Sequence, residues 1–107
     1  MSCTVEITES ALADMDAVYR YIRNVLQAPS AAAATYDRIA DAILSLEDMP
    51  LRYGIPQFAP CISLKLHRML VGNYSVFYQV RGDTVIVTDV LYSASDLKER
   101  LGDRYEE

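Results

Sequence analysis

Tryptophan is absent from this chain, histidine occurs once and cysteine twice, and each scarcity excludes something. His67, Cys3 and Cys61 lie too far apart in sequence to form a cluster with metal-ligand spacing, so neither a structural metal nor any other cofactor is expected. Two isolated cysteines fit small buried apolar groups in a reducing compartment better than a disulfide framework. No apolar run approaches the roughly 18–20 residues needed to span a bilayer. The opening residues, Met1 to Glu6, have neither the basic stretch nor the apolar core of a secretion signal. A cytoplasmic protein without membrane contact is therefore expected. Repeats, low-complexity segments and Gly/Pro/Ser-rich linkers are also lacking. With 51% of the 107 residues apolar, the chain suits a single domain over 1–107 built on one core.

One further absence is local. Residues 49–82 contain no Asp or Glu, yet hold Arg52, Lys65, Arg68 and Arg81 together with His67. The flanking segments are acidic, and the whole chain has a formal net charge of −5. A buried sheet poor in acids would give this pattern. So would a basic face that binds an anion such as RNA phosphate, with Arg52, Lys65, Arg68 and Arg81 as its cations.

The apolar pattern orders the elements. Cys3 to Ile7 alternates as a short strand, and Thr8 can cap a following helix. Leu12, Met15, Val18, Tyr19, Ile22, Val25 and Leu26 then recur at spacings of three and four, as on the apolar stripe of an amphipathic helix. Ala28-Pro-Ser30 breaks that helix, and Ser30 is placed to cap a second one with Ala33, Tyr36, Ile39, Ala40, Ile43 and Leu44 inward. Pro50 ends it, and an irregular connector runs to Pro60. Strand 2 is predicted from about Ile62 to Leu70, strand 3 from Tyr74 to Val80 and strand 4 from Thr84 to Leu91. Gly72-Asn73 reads as a tight hairpin turn because such pairs tolerate positive φ. Ser93-Ala-Ser-Asp96 has capping-box spacing before a short helix ending near Gly102, and the tail from Asp103 is expected to be loose. The order β-α-α-β-β-β-α predicts an α+β fold, a helical hairpin packed on a mainly antiparallel sheet. Alternation in strand 2 puts Lys65 and His67 on the face away from the helices and Arg68 inward unless a bulge re-aims it.

The stretch Leu66-His-Arg-Met-Leu-Val-Gly-Asn-Tyr-Ser-Val-Phe-Tyr-Gln-Val80, with this order of elements, resembles the RelE/ParE toxin family, the toxic halves of bacterial type II toxin–antitoxin pairs. The family commonly reads Arg-x-Leu-x-Val-Gly-Asn-Tyr-Arg-Val-Phe-Tyr-x-Val here. The resemblance implies a RelE-like fold and a growth-inhibiting toxin. It most directly suggests ribosome-dependent cleavage of mRNA without a metal, making the ribosome and mRNA partners. Arg68, Lys65 and His67 would then hold the phosphate, and Tyr92 would donate a proton. Arg68 matches the recurrent arginine at the end of strand 2. Ser75 stands where arginine commonly follows Gly-Asn-Tyr, and Tyr92-Ser-Ala-Ser-Asp96 stands where many members read His-x-Arg-x-Asp. Removing one transition-state donor typically costs about 10²–10³ in rate, so two other readings stay open: a ParE-type poison of DNA gyrase, and a degenerate toxin that only binds its antitoxin. In every case the resemblance implies a cognate antitoxin lying along an apolar groove beside Leu12, Met15, Tyr19 and Ile22.

Overall fold

The computed structural model describes residues 2–105. Strand β1 (Thr4–Ile7) leads into helix α1 (Glu9–Arg20), which continues as a π-helical turn over Tyr21–Val25. Helix α2 spans Pro29–Leu44, and a four-residue helix α3 (Cys61–Leu64) precedes strand β2 (His67–Val71). Strands β3 (Tyr74–Arg81) and β4 (Thr84–Tyr92) and helix α4 (Leu97–Arg104) complete the order. The predicted architecture is the observed one. The sheet order is β1-β4-β3-β2, with antiparallel pairing throughout except for β1, which lies parallel to β4.

Local chemistry explains most boundaries. Thr8 caps α1 as expected, its hydroxyl accepting from the Ala11 N–H at 3.1 Å. The second helix begins ahead of the expected cap: Ala28 is the N-cap, and Pro29 takes the first helical position, where its missing N–H has no helical partner to lose. At the β2–β3 turn Gly72 has φ +57°, and a Cβ there would meet the Arg38 guanidinium at 3.1 Å. The positive φ favours glycine here, and a Cβ would in addition oblige the Arg38 side chain to give way slightly.

Both sheet faces are covered, so the face that Lys65 and His67 are expected to share, away from the helical hairpin, carries a second small core. On the first, Met15, Ile39 and Ile43 of the helical hairpin pack on Met69, Val76, Tyr78, Val87 and Val90. On the second, α3 and α4 close over Leu66, Phe77 and Leu91, with Cys61, Leu97 and Leu101 supplied by the helices. Tyr78 lies wholly inside the first core, its hydroxyl donating to the Pro50 carbonyl. Burial pushes its phenol up to about 12. Tyr105 is likewise raised to about 12, first by burial and then by its bond to Asp89. The fold accepts both phenols only as neutral groups. Their contribution to stability is therefore full below the ordinary value of 10 and falls as pH rises from 10 towards 12. Urea midpoints measured across that window should drop, and Tyr78→Phe should flatten the decline. An unchanged midpoint would refute the assignment.

Candidate functional site

Strand β2 is shorter than its alternation suggests, and this displaces the predicted site. Cys61 to Leu64 form a helical turn, not strand, and Lys65 closes it in the left-handed conformation (φ 55°, ψ 48°), exposed to solvent. That reversal changes the phase of the strand beyond it. His67 faces the helical hairpin, stacked on Tyr78 with centroids 5.2 Å apart and its Nδ1 2.7 Å from the Tyr53 carbonyl oxygen. Arg68, paired with Phe77, occupies the opposite face. Tyr92 pairs with Tyr74, whereas His67 pairs with Tyr78 four residues further along β3, a separation of roughly 13 Å at the usual strand rise. Arg68, Lys65, His67 and Tyr92 are therefore not brought together. The other two expected phosphate ligands lie elsewhere: Arg52 donates to the Asp48 carbonyl at 2.7 Å and covers the Tyr53 ring, and Arg81 ends β3 in solvent.

Arg68 has a defined setting of its own. Its Nε donates to the Ser75 hydroxyl at 2.9 Å, and Ser75 meets the Ser93 hydroxyl at 2.8 Å. Ser75 is completely buried. Ser75, at the position where the family this stretch resembles commonly has arginine, thus accepts a hydrogen bond from Arg68 and adds no second cation. Burial raises the nearby Cys61 thiol, Asp89 raises it further and Arg68 opposes both. Such a thiol is a poor nucleophile at neutral pH.

On the helical face an open groove of about 760 Å³ runs between the α1 π-turn, α2 and the end of β4. Tyr21, Ile22, Leu26, Tyr74 and Tyr92 form its apolar walls and Arg100 stands at its edge. Tyr74 and Tyr92 meet edge-on, 5.7 Å apart; burial raises the Tyr74 phenol, and Tyr92 and Tyr21 add to the shift. Of the four residues predicted to line a groove, Ile22 does. Met15 is buried in the core, Tyr19 packs edge-on against Tyr36 at 6.2 Å, and Leu12 lies outside the lining. Val18 and Leu26 of the same apolar stripe line the groove beside Ile22, and Tyr21 of the π-turn joins them from outside the stripe.

Between groove and sheet lies a charged node that the helical and strand periods do not reveal. Arg104 forks across two carboxylates: Nη1 donates to Asp14 at 2.7 Å and Asp89 at 2.8 Å, and Nη2 donates to Asp14 at 2.6 Å. Asp14 also accepts from the Val90 N–H, and Asp89 accepts from the Thr88 and Tyr105 hydroxyls. The two aspartates, led by Asp14 through the hydrogen bonds it accepts, hold the guanidinium charged well above its ordinary range. From Asp103 through Tyr105 the tail expected to be loose is consequently anchored; its last two residues, Glu106 and Glu107, lie outside the described residues. A lone Asp89 inside Val85-Ile-Val-Thr-Asp-Val-Leu91 is the available signal, since a carboxylate in a buried strand requires a cation.

A helical hairpin on a four-stranded sheet ordered β1-β4-β3-β2, with a short terminal helix over the second face, defines the fold of the small RelE/ParE-type toxins. Solved relatives share it at low identity. The toxin–antitoxin system ParDE of P. aeruginosa superposes with a TM-score of 0.71 at 20% identity, covering 85% of this chain and 96% of that one. A toxin–antitoxin complex RelBE2 of Mycobacterium tuberculosis gives 0.59 at 22%, covering 86% and 99%. An E. coli RelE mutant in the free state gives 0.64 at 12% over the full length of both. Among curated proteins none matches. The profile of the ParE toxin of the type II system parDE matches residues 5–97. The chain belongs to that family: it is a toxin of a type II toxin–antitoxin system.

Proposed function

We propose that this toxin acts by binding a protein target, with DNA gyrase the foremost candidate, and that its cognate antitoxin neutralises it from the Tyr21–Tyr92 groove. The observation that carries the first half is the dispersal of Arg68, Lys65, His67 and Tyr92 over two sheet faces and a loop. In-line cleavage of RNA needs a base, a proton donor and phosphate-holding cations that all converge on one scissile phosphate. Here His67 is stacked and bonded to a carbonyl, Arg68 is engaged by Ser75, and Tyr92 stands in the groove wall. The ParE profile points the same way.

The groove supports the second half. It is open and mostly apolar, with Arg100 and Asp14 in its lining, which suits an amphipathic helix or extended segment folding onto it.

Two assays separate the readings. Cell-free translation with purified, antitoxin-free protein should leave mRNA intact, while gyrase supercoiling should fall with added protein. New ribosome-dependent 5′ ends at codon boundaries would overturn the proposal. A folded Arg68→Gln variant should keep its toxicity within about threefold, the glutamine still donating to Ser75. Loss of growth inhibition in that variant would return Arg68 to an anion-holding role.

A further inference from the structure

The Tyr21–Tyr92 groove is walled by helices, a turn and the two inner strands. Its lining comes from α1 and the π-turn, α2, Asn73 of the β2–β3 turn, Tyr74 of β3, the end of β4 and α4. The strands at the sheet edges are β1 and β2, and neither contributes a residue to the groove. A segment lying there meets no unpaired row of backbone donors and acceptors that it could extend as a further strand. It must satisfy its own backbone, as a helix does, and bind through side chains.

Charge narrows the occupant further. Two residues of the lining carry a full charge at neutral pH, Asp14 and Arg100. Asp14 is already satisfied: Arg104 donates to both of its oxygens, and the Val90 N–H adds a third bond. Arg100 is not. It is exposed and donates from Nη1 to the Ser95 hydroxyl at 3.0 Å, and Ser95 in turn donates to the Tyr92 carbonyl. That chain of bonds holds the guanidinium beside the Tyr92 wall. Among the described residues no carboxylate lies within ion-pair distance of it; Asp96, four positions earlier, caps the Glu99 N–H instead. The groove thus presents apolar walls with one uncompensated cation at its edge, and no open carboxylate to receive a basic residue.

We infer that the antitoxin enters this groove as an amphipathic helix, and that an aspartate or glutamate of that helix pairs with Arg100. The pairing presupposes that the groove is the antitoxin site and specifies what fills it. The carboxylate lies three or four positions from a large apolar residue packed against Tyr92, the spacing that puts both on one helical face. Arg100 then fixes the register of the helix, because a shift by one turn takes the acid away and leaves the cation against apolar surface.

Calorimetric titration of purified toxin variants with the cognate antitoxin tests the pairing. Arg100→Glu should weaken binding about tenfold or more, and Arg100→Lys should weaken it less than Arg100→Ala. Thermal midpoints of all three should match the parent, because the side chain is exposed. Reversing the acids of the antitoxin to arginine one at a time should identify one that restores affinity for Arg100→Glu while weakening the parent. Alanine scanning around that acid should give sensitive positions three and four apart. Tyr21→Glu tests the groove itself. If it weakens binding while Arg100→Glu does not, the groove stands and the pairing falls. The pairing also falls if Arg100→Glu weakens binding and no reversed acid restores it, and sensitive positions two apart would overturn the helix. Full affinity in Tyr21→Glu would overturn the groove and the pairing together.

Discussion

Replacing Arg104 with methionine should remove about 3–5 kcal/mol of stability, the range for breaking a buried ion pair by deleting one partner. This would be a large share of the roughly 5–15 kcal/mol that holds a domain of this kind folded. The expectation rests on what is left behind. Asp89 is fully buried and Asp14 nearly so, and without the guanidinium two largely desolvated carboxylates would be left with no cation between them. The bonds from Thr88, Tyr105 and Val90 would remain, but neutral donors do not offset two desolvated charges. Arg104→Lys should recover only part of the loss, because an ammonium cannot reproduce a fork that makes three bonds to two carboxylates at 2.6–2.8 Å. Urea denaturation followed by circular dichroism measures both variants. A loss below about 1 kcal/mol for Arg104→Met would place the node among surface ion pairs, whose individual worth is of that order.

The node also explains why α4 stays in place. That helix has only Leu97 and Leu101 buried against the sheet, a small apolar stripe for eight residues. Asp96 caps it through the Glu99 N–H at 3.2 Å, and the ion pairs fix its far end to α1 and β4. The Arg68–Ser75–Ser93 group lies on the sheet face that this helix helps to cover. Loss of Arg104 should therefore expose that face before the helical hairpin unfolds, an order that hydrogen exchange can resolve.

How much of this is legible in the sequence depends on the kind of signal each element leaves. The β2–β3 hairpin is readable because glycine at positive φ leaves a local mark, borne out at Gly72; Gly82 at the β3–β4 turn has the same positive φ. The first helix is readable from period and cap together. Strand β2 is not, because Ile62, Leu64 and Leu66 alternate with Ser63, Lys65 and His67 as well as any strand does. A four-residue helix closed by a left-handed lysine gives no pattern long enough to distinguish it. One misplaced boundary inverts the faces of His67 and Arg68, and with them the predicted site. Periodicity assigns Asp14 to the polar side of α1 because it ranks residues by hydropathy alone. The partner of Asp14 is 90 residues away, and no local rule connects them.

Charging the groove should have the largest functional consequence. Tyr21 and Leu26 are 53% and 56% exposed in the free protein, so Tyr21→Glu and Leu26→Glu cost little in folding. In a complex of the proposed kind both side chains become covered. Aromatic and large apolar anchors at the centre of an interface commonly contribute about 2 kcal/mol or more, and a carboxylate introduced there must also be desolvated. The double variant should bind its antitoxin about a hundredfold or more weaker while inhibiting its target as the parent does. In cells it would then remain toxic when the antitoxin is co-expressed at a level that silences the parent toxin. Calorimetry on the purified pair and a growth assay under matched expression read the two effects separately. Weakened binding with retained toxicity assigns the groove to neutralisation alone. If both are lost in a folded variant, target and antitoxin compete for the same wall, and neutralisation is direct occlusion of the toxic surface. Unchanged affinity would move the antitoxin off this groove altogether.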